Sequence, residues 1–393
     1  MEVNGDRLYK DIRRLGSVGF VPGRGTSRMA YSEAFCQGRE LVREMMEQAG
    51  LATAVDPVGN LTGRLEGSSG RVISIGSHID TVPEGGIFDG ALGVLAGVEL
   101  VRTLREHGYK NQNTIEIIAF NEEEGNVVGG TFGSKAFTGQ RQEEDALERM
   151  EALGMSPGEV NRSRREPGEY LCYLELHIEQ GGILERKQIP LGVVEGIFGI
   201  VRYKVTVPGT ANHAGSTPMY LRDDALVKAS RMIGRLVELA GEINPSMTCT
   251  IGKMDIEPGA VNVIPGRVDL YVELRCMDTS AITKTMELFQ REFAEVKVEN
   301  FLWQNETRMD ERLQEVLRTC CRERGIEYLD MPSGAGHDAI NMALFTPSAM
   351  IFIPSLGGVS HSVREESRTE DIERGANLLL DAVLNLDGEE VRR

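Results

Sequence analysis

The chain of 393 residues is longer than one ordinary hydrophobic core supports, which favours two domains. Its formal net charge of −17 disfavours nucleic acid and anionic membrane as partners, although one local arginine could still hold a small anionic substrate. No apolar run approaches the ~20 residues that span a bilayer, and the N-terminus lacks the core of a signal peptide. The six cysteines show no CxxC spacing, so we expect a cytoplasmic protein with reduced thiols.

Strand and helix patterns alternate in the first half of the chain. They predict a helix at 27–50, a hairpin at 51–67, a strand at 71–80, a helix at 91–108, a strand at 113–125, a helix at 145–155 and a strand at 169–181. The three single strands all end in histidine or acidic residues. This alternation predicts an α/β domain with a mostly parallel sheet flanked by helices, with its site at the carboxyl ends of the strands.

The pattern changes near residue 199. The next elements are a strand and turn at 199–215, a helix at 221–242, strands at 247–256 and 266–278, a helix at 280–296 and a strand at 297–305. This order fits an inserted α+β domain of the ferredoxin-like type. Helices at 310–325 and 366–386 then return to the first domain. We therefore predict a catalytic domain made of 1–198 and 304–393, and an inserted domain at 199–303.

Histidines are few, and their positions are informative. His107 lies in a charged helix end, where a cation is favoured by the helix dipole, so we interpret it as structural. The others follow apolar runs directly, in breaks rich in glycine or acids; they are His78, His177, His213, His337 and His361. One such histidine is more often structural than functional. Five of them, with matching acids, favour a metal site.

The candidate acidic residues lie in loops of the same kind as these histidines, after the predicted strands. "NEEEG" (121–125) alone would be a solvated acidic turn, but it accompanies "HID", "FDG" and "ELHIEQG". Adjacent carboxylates repel each other unless a cation neutralises them. Imidazole with carboxylate suits zinc, manganese, cobalt or nickel, and a site for two ions commonly shares one bridging carboxylate.

The motifs together resemble a known family. "GSHIDTVPEGGIFDGALGVLAG", "NEEEG", "ELHIEQG", "NHAGSTPM", "VNVIPGRVDLYVELR", "SGAGHDA" and "GGVSHS" look like the hydantoinase/carbamoylase branch of the dinuclear aminoacylase/carboxypeptidase superfamily. The resemblance covers nearly the whole chain in the expected order. It implies a metallopeptidase-like catalytic domain and an inserted domain for dimerisation or lid closure.

The resemblance also implies two divalent metal ions per subunit, which would be zinc, manganese, cobalt or nickel. Asp89 would bridge the two ions. His78 and His177 would complete the ligand set of one ion, and Glu124 and His361 would complete that of the other.

Three further roles concern the surroundings of these ligands. The resemblance implies that Glu123 is the general base on the bridging water. Asp80 would accept the second ring N–H of His78, the usual way in which a metal-bound histidine is oriented. The turn at Gly85 and Gly86 would let the chain return toward His78.

The resemblance extends to the substrate site. Arg275 would pair with a substrate carboxylate, although without the family it reads as a surface arginine at a strand end. His213 and Asn262 would donate to the developing oxyanion, and they would do so in the partner subunit of a homodimer. The remaining substrate residues are Gln180 and the backbone N–H groups near Gly334 and Gly336. His337 either lines the site or is a structural histidine packed by Asp338.

The function implied is hydrolysis of the carbamoyl group of an N-carbamoyl-L-amino acid, with release of ammonia and carbon dioxide. Allantoate is a close alternative substrate, followed by ureidoglycolate and β-ureidopropionate. An aminoacylase or dipeptidase is disfavoured because peptidase members usually carry an acid where this chain has His177. A binding protein on a decayed hydrolase fold is disfavoured because the ligand set and the base are intact.

Overall fold

The structure, a computed structural model, describes residues 1–141 and 144–388. Two compact units divide the chain, one made of Met1–Glu195 with Arg308–Arg393 and the other of Gly196–Thr307. The last five residues of the predicted catalytic domain, 389–393, lie outside the described residues. Within the described ranges, every helix is too short or too polar to cross a membrane.

The elements have the following bounds. The α-helices are α1 Gly5–Gly16, α2 Glu33–Gln48, α3 Ala91–Glu106, α4 Phe132–Thr138, α5 Glu144–Ala152, α6 Pro157–Arg162, α7 Ile183–Lys187, α8 Ala225–Ile243, α9 Thr279–Glu292, α10 Glu311–Arg324, α11 Ala339–Met342 and α12 Thr369–Gly388. The strands are β1 Phe20–Val21, β2 Gly25–Thr26, β3 Ala52–Val55, β4 Leu61–Leu65, β5 Val72–His78, β6 Thr114–Phe120, β7 Tyr170–Ile178, β8 Leu191–Ile197, β9 Gly199–Pro208, β10 Asn212–His213, β11 Thr248–Glu257, β12 Val263–Ile264, β13 Arg267–Cys276, β14 Lys297–Gln304, β15 Thr307–Arg308, β16 Tyr328–Ser333 and β17 Ser348–Ile353.

A nine-stranded mixed sheet forms the centre of the first unit. Its order is β15-β8-β17-β7-β5-β6-β4-β3, and β16 pairs with β8. The four central strands β17, β7, β5 and β6 are parallel to one another. The predicted hairpin of β3 and β4 joins them through an antiparallel β4–β6 pair, and β8 is antiparallel to β17. The parallel arrangement therefore holds for the middle of the sheet, and antiparallel strands extend it on both sides.

The central strands are almost wholly buried. Every residue of β5 and β6 is buried, as expected where helices cover both faces of a parallel sheet. Nearly all of α3 is buried as well. The register sets His78 beside Phe120 and His177 beside Phe352. The carboxyl ends of these four strands therefore lie along one edge of the sheet.

A four-stranded antiparallel sheet with the order β11-β13-β9-β14 forms the second unit. The chain order β9-α8-β11-β13-α9-β14 is the predicted one. Alternate residues of β9 are buried, and they share an apolar core with both helices. This is the ferredoxin-like arrangement, and within the unit β11 and β14 form the two edges of the sheet. A separate two-stranded sheet pairs β10 with β12.

Candidate active site

Histidine and carboxylate side chains converge at the carboxyl edge of the sheet in the first unit. His78 is the last residue of β5, and His177 lies one residue before the end of β7. Asp89 precedes α3, Glu124 follows β6, and His361 follows β17. Residues far apart in the sequence meet here because parallel strands end at the same edge.

The carboxylate of Asp89 lies among three imidazole rings. Its Oδ1 is 3.2 Å from Nε2 of His177 and 3.6 Å from Nε2 of His78. Its Oδ2 is 3.1 Å from Nε2 of His361, which is 3.6 Å from Oε2 of Glu124. The two oxygens therefore face two different groups of side chains, and within each group the candidate ligand atoms lie within 4.8 Å of one another.

The outer nitrogens of two rings determine what faces Asp89. Nδ1 of His78 is 3.0 Å from the backbone carbonyl oxygen of Asp80, and Nδ1 of His177 is 2.9 Å from that of Ile178. Since a carbonyl only accepts, Nδ1 carries the proton, and in the neutral ring Nε2 presents a lone pair. This lone pair faces a carboxylate oxygen, which is also an acceptor. Either Nε2 is protonated as well or a cation lies between the two acceptors, and the donor set fits a divalent metal ion.

Burial and crowded charge shift the pKa values of the same groups. Burial raises the pKa of the Glu124 carboxyl to about 7, and the nearby Asp89 carboxylate adds to the effect. Burial lowers the pKa of His78, but the negative charges of Asp89 and Glu123 outweigh it, so that this pKa is raised. The hydrogen bond with Asp89 raises the pKa of His361 to about 9. These carboxylates therefore require cationic partners, whether imidazolium or metal.

Asp80 accepts the outer ring N–H of His78, as predicted, but it does so through its backbone carbonyl and not through its carboxylate. Nδ1 of His78 bonds the backbone carbonyl of Asp80, and the carboxylate oxygen Oδ1 is 3.6 Å away. The carboxylate instead accepts the backbone N–H groups of Glu123 and Glu124, at 3.2 and 3.1 Å. Since Asp80 follows β5 and the glutamates follow the neighbouring β6, this contact fixes the acidic loop against the end of β5.

Glu123 lies beside the two ligand groups and belongs to neither. Its Oε2 is 3.8 Å from Nε2 of His78, and its side chain is 11% exposed. Burial raises its pKa well above the usual range, and the carboxylates of Asp338 and Glu124 raise it further. A carboxylate held beside candidate metal ligands without belonging to their groups is available for proton transfer.

Glu122, the first of the three acids, shapes the loop. Its backbone is in the left-handed region, with φ of 61°. Its Oε1 accepts the backbone N–H groups of Val127, Val128 and Gly129. The acidic triplet is therefore not a uniform patch, because its first member holds the loop while the next two face the site.

The close approach of α3 to His78 depends on Gly90. Its φ is 65°, and a Cβ there would lie 2.5 Å from the ring of His78. The chain turns at residues 82–85, where the Gly85 N–H donates to the Val82 carbonyl at 3.3 Å. Glu84, with φ of 58°, supplies the left-handed residue that neither Gly85 nor Gly86 provides. Gly86 instead leaves room for Glu365, since a Cβ at residue 86 would lie 2.0 Å from its Oε1.

The predicted substrate residues of the first unit differ in their surroundings. Gln180, with φ of 58°, donates from Nε2 to Oδ2 of Asp89 at 2.8 Å. The structure therefore brings Gln180 into the cluster. Gly334 and Gly336 are exposed in the loop between β16 and α11.

His337 is a buried ring behind His177. The two rings meet edge to face with centroids 4.5 Å apart, and Nε2 of His337 is 2.8 Å from Oγ of Ser333. Burial, together with the charge of His177, lowers the pKa of His337 far below its usual value. Of the two interpretations left open by the sequence, packing as a neutral ring against a candidate ligand agrees best with this geometry.

His213 and Asn262 lie in the second unit and are exposed. Nδ1 of His213 accepts the backbone N–H groups of Gly215 and Ser216, both at 3.0 Å. The proton of the neutral ring is therefore on Nε2. An exposed Nε2–H is a hydrogen-bond donor available to another molecule.

Arg275 lies near the end of β13, also in the second unit. Its Nε donates to Oε1 of Glu273 at 2.8 Å, and Arg202 contacts the other oxygen of Glu273 at 2.7 Å. The guanidinium of Arg275 is thus oriented by an acid on its own strand.

Two buried charged residues near the site were not predicted. Arg28 is fully buried and donates to the backbone carbonyls of Ile79 and Leu15, which holds the chain just after His78. Glu365 is also buried and contacts the backbone at Asp89. In the sequence both resemble ordinary surface charges, because bonds to backbone groups leave no motif.

Comparisons with known proteins identify the family of this chain. The family described as "Peptidase family M20/M25/M40" matches residues 74–385. This chain belongs to that family. An N-carbamoyl-L-amino acid amidohydrolase of Geobacillus stearothermophilus is 37% identical, over 98% of this chain and 99% of the relative. An allantoate amidohydrolase of Bacillus subtilis is 34% identical, over 95% of this chain and 96% of the relative.

A solved structure confirms the fold of this M20-family hydrolase. A hydantoinase/carbamoylase family amidase from Burkholderia ambifaria superposes with a TM-score of 0.90 at 34% identity, covering 98% of each chain. The resemblance predicted from the motifs is therefore confirmed. Enzymes of the M20 family are metal-dependent, in agreement with the candidate ligand groups around Asp89.

Proposed function

We propose that this protein hydrolyses the carbamoyl group of N-carbamoyl-L-amino acids, with release of the amino acid, ammonia and carbon dioxide. One observation carries the chemistry: the two oxygens of Asp89 face two separate groups of metal-binding side chains. The substrate class is supported by full-length relatives named for that reaction.

The proposed ligands divide between two ions. His78, Asp89 and His177 would hold one ion, and Asp89, Glu124 and His361 the other. Zinc, manganese, cobalt and nickel all suit such a donor set. Bound divalent ions would lower the pKa of the attacking water and polarise the ureido carbonyl.

Glu123 would move the proton. Its carboxylate would accept a proton from the attacking water and deliver it to the departing amine nitrogen. The bond from the Glu123 N–H to Asp80 keeps the backbone of this residue at the end of β5. We propose that Glu123 is catalytic in this sense.

The substrate residues of the second unit would act on the two ends of the ureido acid. Arg275 would bind the carboxylate, because a guanidinium forms two parallel bonds with that group. His213 would donate from Nε2 to the oxyanion, in agreement with the two N–H groups that occupy its Nδ1. Asn262, Gln180 and the loop with Gly334 and Gly336 would complete the site.

A panel of substrates tests the proposal. The protein is first loaded separately with zinc, manganese, cobalt or nickel, and ammonia release is then measured. The panel contains N-carbamoyl-L-amino acids with their D-enantiomers, allantoate, ureidoglycolate and β-ureidopropionate, and release of the free amino acid is followed for N-acetyl amino acids and dipeptides. The highest kcat/KM is expected for an N-carbamoyl-L-amino acid, and activity on N-acetyl amino acids or dipeptides alone would refute the proposal.

Allantoate is the second candidate substrate. Relatives named allantoate amidohydrolase, from Bacillus subtilis and Escherichia coli, are each 34% identical, close to the 37% of the carbamoyl-amino-acid relative. A higher kcat/KM for allantoate would select this alternative and leave the proposed reaction type unchanged.

Arg275→Lys is expected to raise KM for carboxylate substrates by roughly 10-fold or more, because a charged hydrogen bond contributes ~1.5–3 kcal/mol and an ammonium cannot form the planar pair. A substrate with an amidated carboxyl group should react equally with the wild-type protein and the variant. Arg267→Lys is the matched control, since Arg267 is on the same strand and pairs with Asp269. Normal KM in Arg275→Ala would move the anchor to another residue, such as Arg202 or Arg222.

We also propose a homodimer joined through the second unit, in which His213 and Asn262 act in the site of the partner. The two edges of the sheet, β11 and β14, offer backbone groups for pairing, and sheet edges are commonly covered. The candidate metal ligands all lie in the first unit, whereas both donors lie in the second.

Mixing two inactive variants tests the shared site. His213→Ala and Glu123→Gln should each be nearly inactive. After random exchange of subunits, about half of the dimers would be mixed, and each would hold one intact site, so activity should rise to roughly a quarter of the wild-type value. Mass spectrometry would verify the exchange. A mixture that stays inactive would show that His213 acts in its own chain, and a monomer by sedimentation would exclude the dimer.

A further inference from the structure

The buried carboxylate of Glu365 links two segments of the first unit that carry candidate metal ligands. Glu365 is 4% exposed. Its Oε1 accepts the backbone N–H groups of Phe88 and Asp89, at 2.9 and 3.1 Å. Its Oε2 accepts the hydroxyl of Ser360 at 2.7 Å. One side chain thus connects the segment before α3 with the loop that carries His361.

These contacts account for both oxygens of Glu365. Three N–H or O–H donors surround them, and the side chain is in neither of the ligand groups around Asp89. Hydrogen bonds to an ionised carboxylate are about twice as strong as bonds between neutral groups. Glu365 is therefore suited to hold backbone in place, not to bind an ion.

The loop that carries His361 needs such a support. His361 has a φ of 53°, in the left-handed region that non-glycine residues rarely adopt, and its side chain is 50% exposed. The neighbouring Ser360 is tied to Glu365, and Glu365 donates its own backbone N–H to the carbonyl of Ser362. Glu365 therefore contacts the residues on both sides of His361, Ser360 through its carboxylate and Ser362 through its backbone N–H.

Gly86 leaves room for the Glu365 carboxylate because it has no side chain. A Cβ at residue 86 would lie 2.0 Å from Oε1 and 2.2 Å from Cδ of Glu365. Any larger residue at this position would displace the carboxylate from the Phe88 and Asp89 backbone.

We propose that Glu365 is a positioning residue that sets the placement of Asp89 relative to His361, and thereby the affinity of the site for the ion held by Asp89, Glu124 and His361. This inference rests on the two-ion site of the proposed function. A shared carboxylate serves two ions only if its backbone is held within about 0.5 Å of the required position. Partners of metal ligands commonly change metal affinity by ~10–100-fold when they are removed.

Metal binding, measured without substrate, tests the proposal. Zinc is titrated into metal-free protein in competition with a chromophoric chelator, and ions per chain are counted by elemental analysis. In Glu365→Ala, the dissociation constant of the more weakly bound ion should rise by about 10–100-fold. Glu365→Gln should recover most of this loss, because its carbonyl oxygen can still accept both N–H groups.

Gly86→Ala provides an independent variant, because it displaces the carboxylate without removing it. It should weaken the same ion, whereas Gly85→Ala, whose Cβ would lie nearest to Val82 and Thr81, should not. Glu366→Gln removes the same charge one residue further along and should bind both ions normally. In Glu365→Ala supplied with saturating zinc, kcat should fall while KM stays close to the wild-type value.

Unchanged affinity for both ions in Glu365→Ala would overturn the proposal, even if the variant were less stable or less active. If that variant does not fold, Ser360→Ala decides, because it removes the hydroxyl that ties Glu365 to the His361 loop at 2.7 Å, together with its longer contacts to Asp89 and Gln180 at 3.4 and 3.5 Å. Wild-type affinity in Ser360→Ala would then overturn the proposal. If the wild-type protein binds zinc but hydrolyses no ureido acid, only the proposed substrate is refuted. If it binds no ion, the proposed function and the positioning role of Glu365 are both refuted.

Discussion

Removal of divalent metal should abolish ammonia release, and adding back a divalent ion should restore it. Without an ion, only protonation of His78 and His177 could offset the charge of the Asp89 carboxylate that their Nε2 atoms face. Glu123 would then have no activated water from which to accept a proton. Ammonia release is measured after dialysis against a chelator, and again after addition of zinc, manganese, cobalt or nickel.

Metal removal should also lower the melting temperature. A ligand at about 100 times its Kd stabilises the folded state by ~2.7 kcal/mol, and loss of the ion also exposes the repulsion between Asp89 and Glu124. The control is protein dialysed without chelator and assayed in parallel. Full activity in a sample shown by elemental analysis to be free of metal would exclude the two-ion interpretation.

The location of the candidate site could be predicted because its residues lie at the carboxyl ends of strands that are recognisable in the sequence. The apolar runs of β5 and β7 stop at His78 and His177, and a parallel sheet brings those ends to one edge. Asp89 was predictable for a related reason, since an acid directly before a buried helix needs a partner. The family motifs then separated these residues from ordinary polar turns.

The supporting contacts could not be predicted, because most of them involve backbone groups. Asp80 was expected to bond the ring of His78 and does so through its backbone carbonyl, whereas its carboxylate holds the N–H groups of Glu123 and Glu124. Any short acid can bond backbone in this way, so the sequence does not distinguish the two arrangements. Glu365 was missed for the same reason.

Gly86 and Gly90 also have roles that the sequence does not reveal. A pair of glycines suggests a tight turn, but Gly86 is small because the Glu365 carboxylate lies against it, and Gly90 because the ring of His78 does. Both contacts are with residues distant in sequence. Local sequence patterns report local conformation, whereas a close approach depends on the tertiary fold.

Glu123→Gln should retain both ions and lose turnover by about 10²–10⁴-fold, the usual effect of removing a general base. The amide keeps the size of the side chain and the backbone N–H bond to Asp80, but it cannot accept the proton. Elemental analysis and ammonia release, measured on the same sample, separate the two effects. A kcat close to the wild-type value would assign the base to another residue.

Glu124→Gln is the matched comparison, because the same change is made one residue later and both N–H groups are held by Asp80. Glu124 faces His361 at 3.6 Å within a ligand group, so its amide should bind one ion weakly, and added metal should restore part of the activity. Added metal should not rescue Glu123→Gln. If Glu123→Gln also lost an ion, Glu123 would be a ligand, and the proton would have to be accepted by a different group.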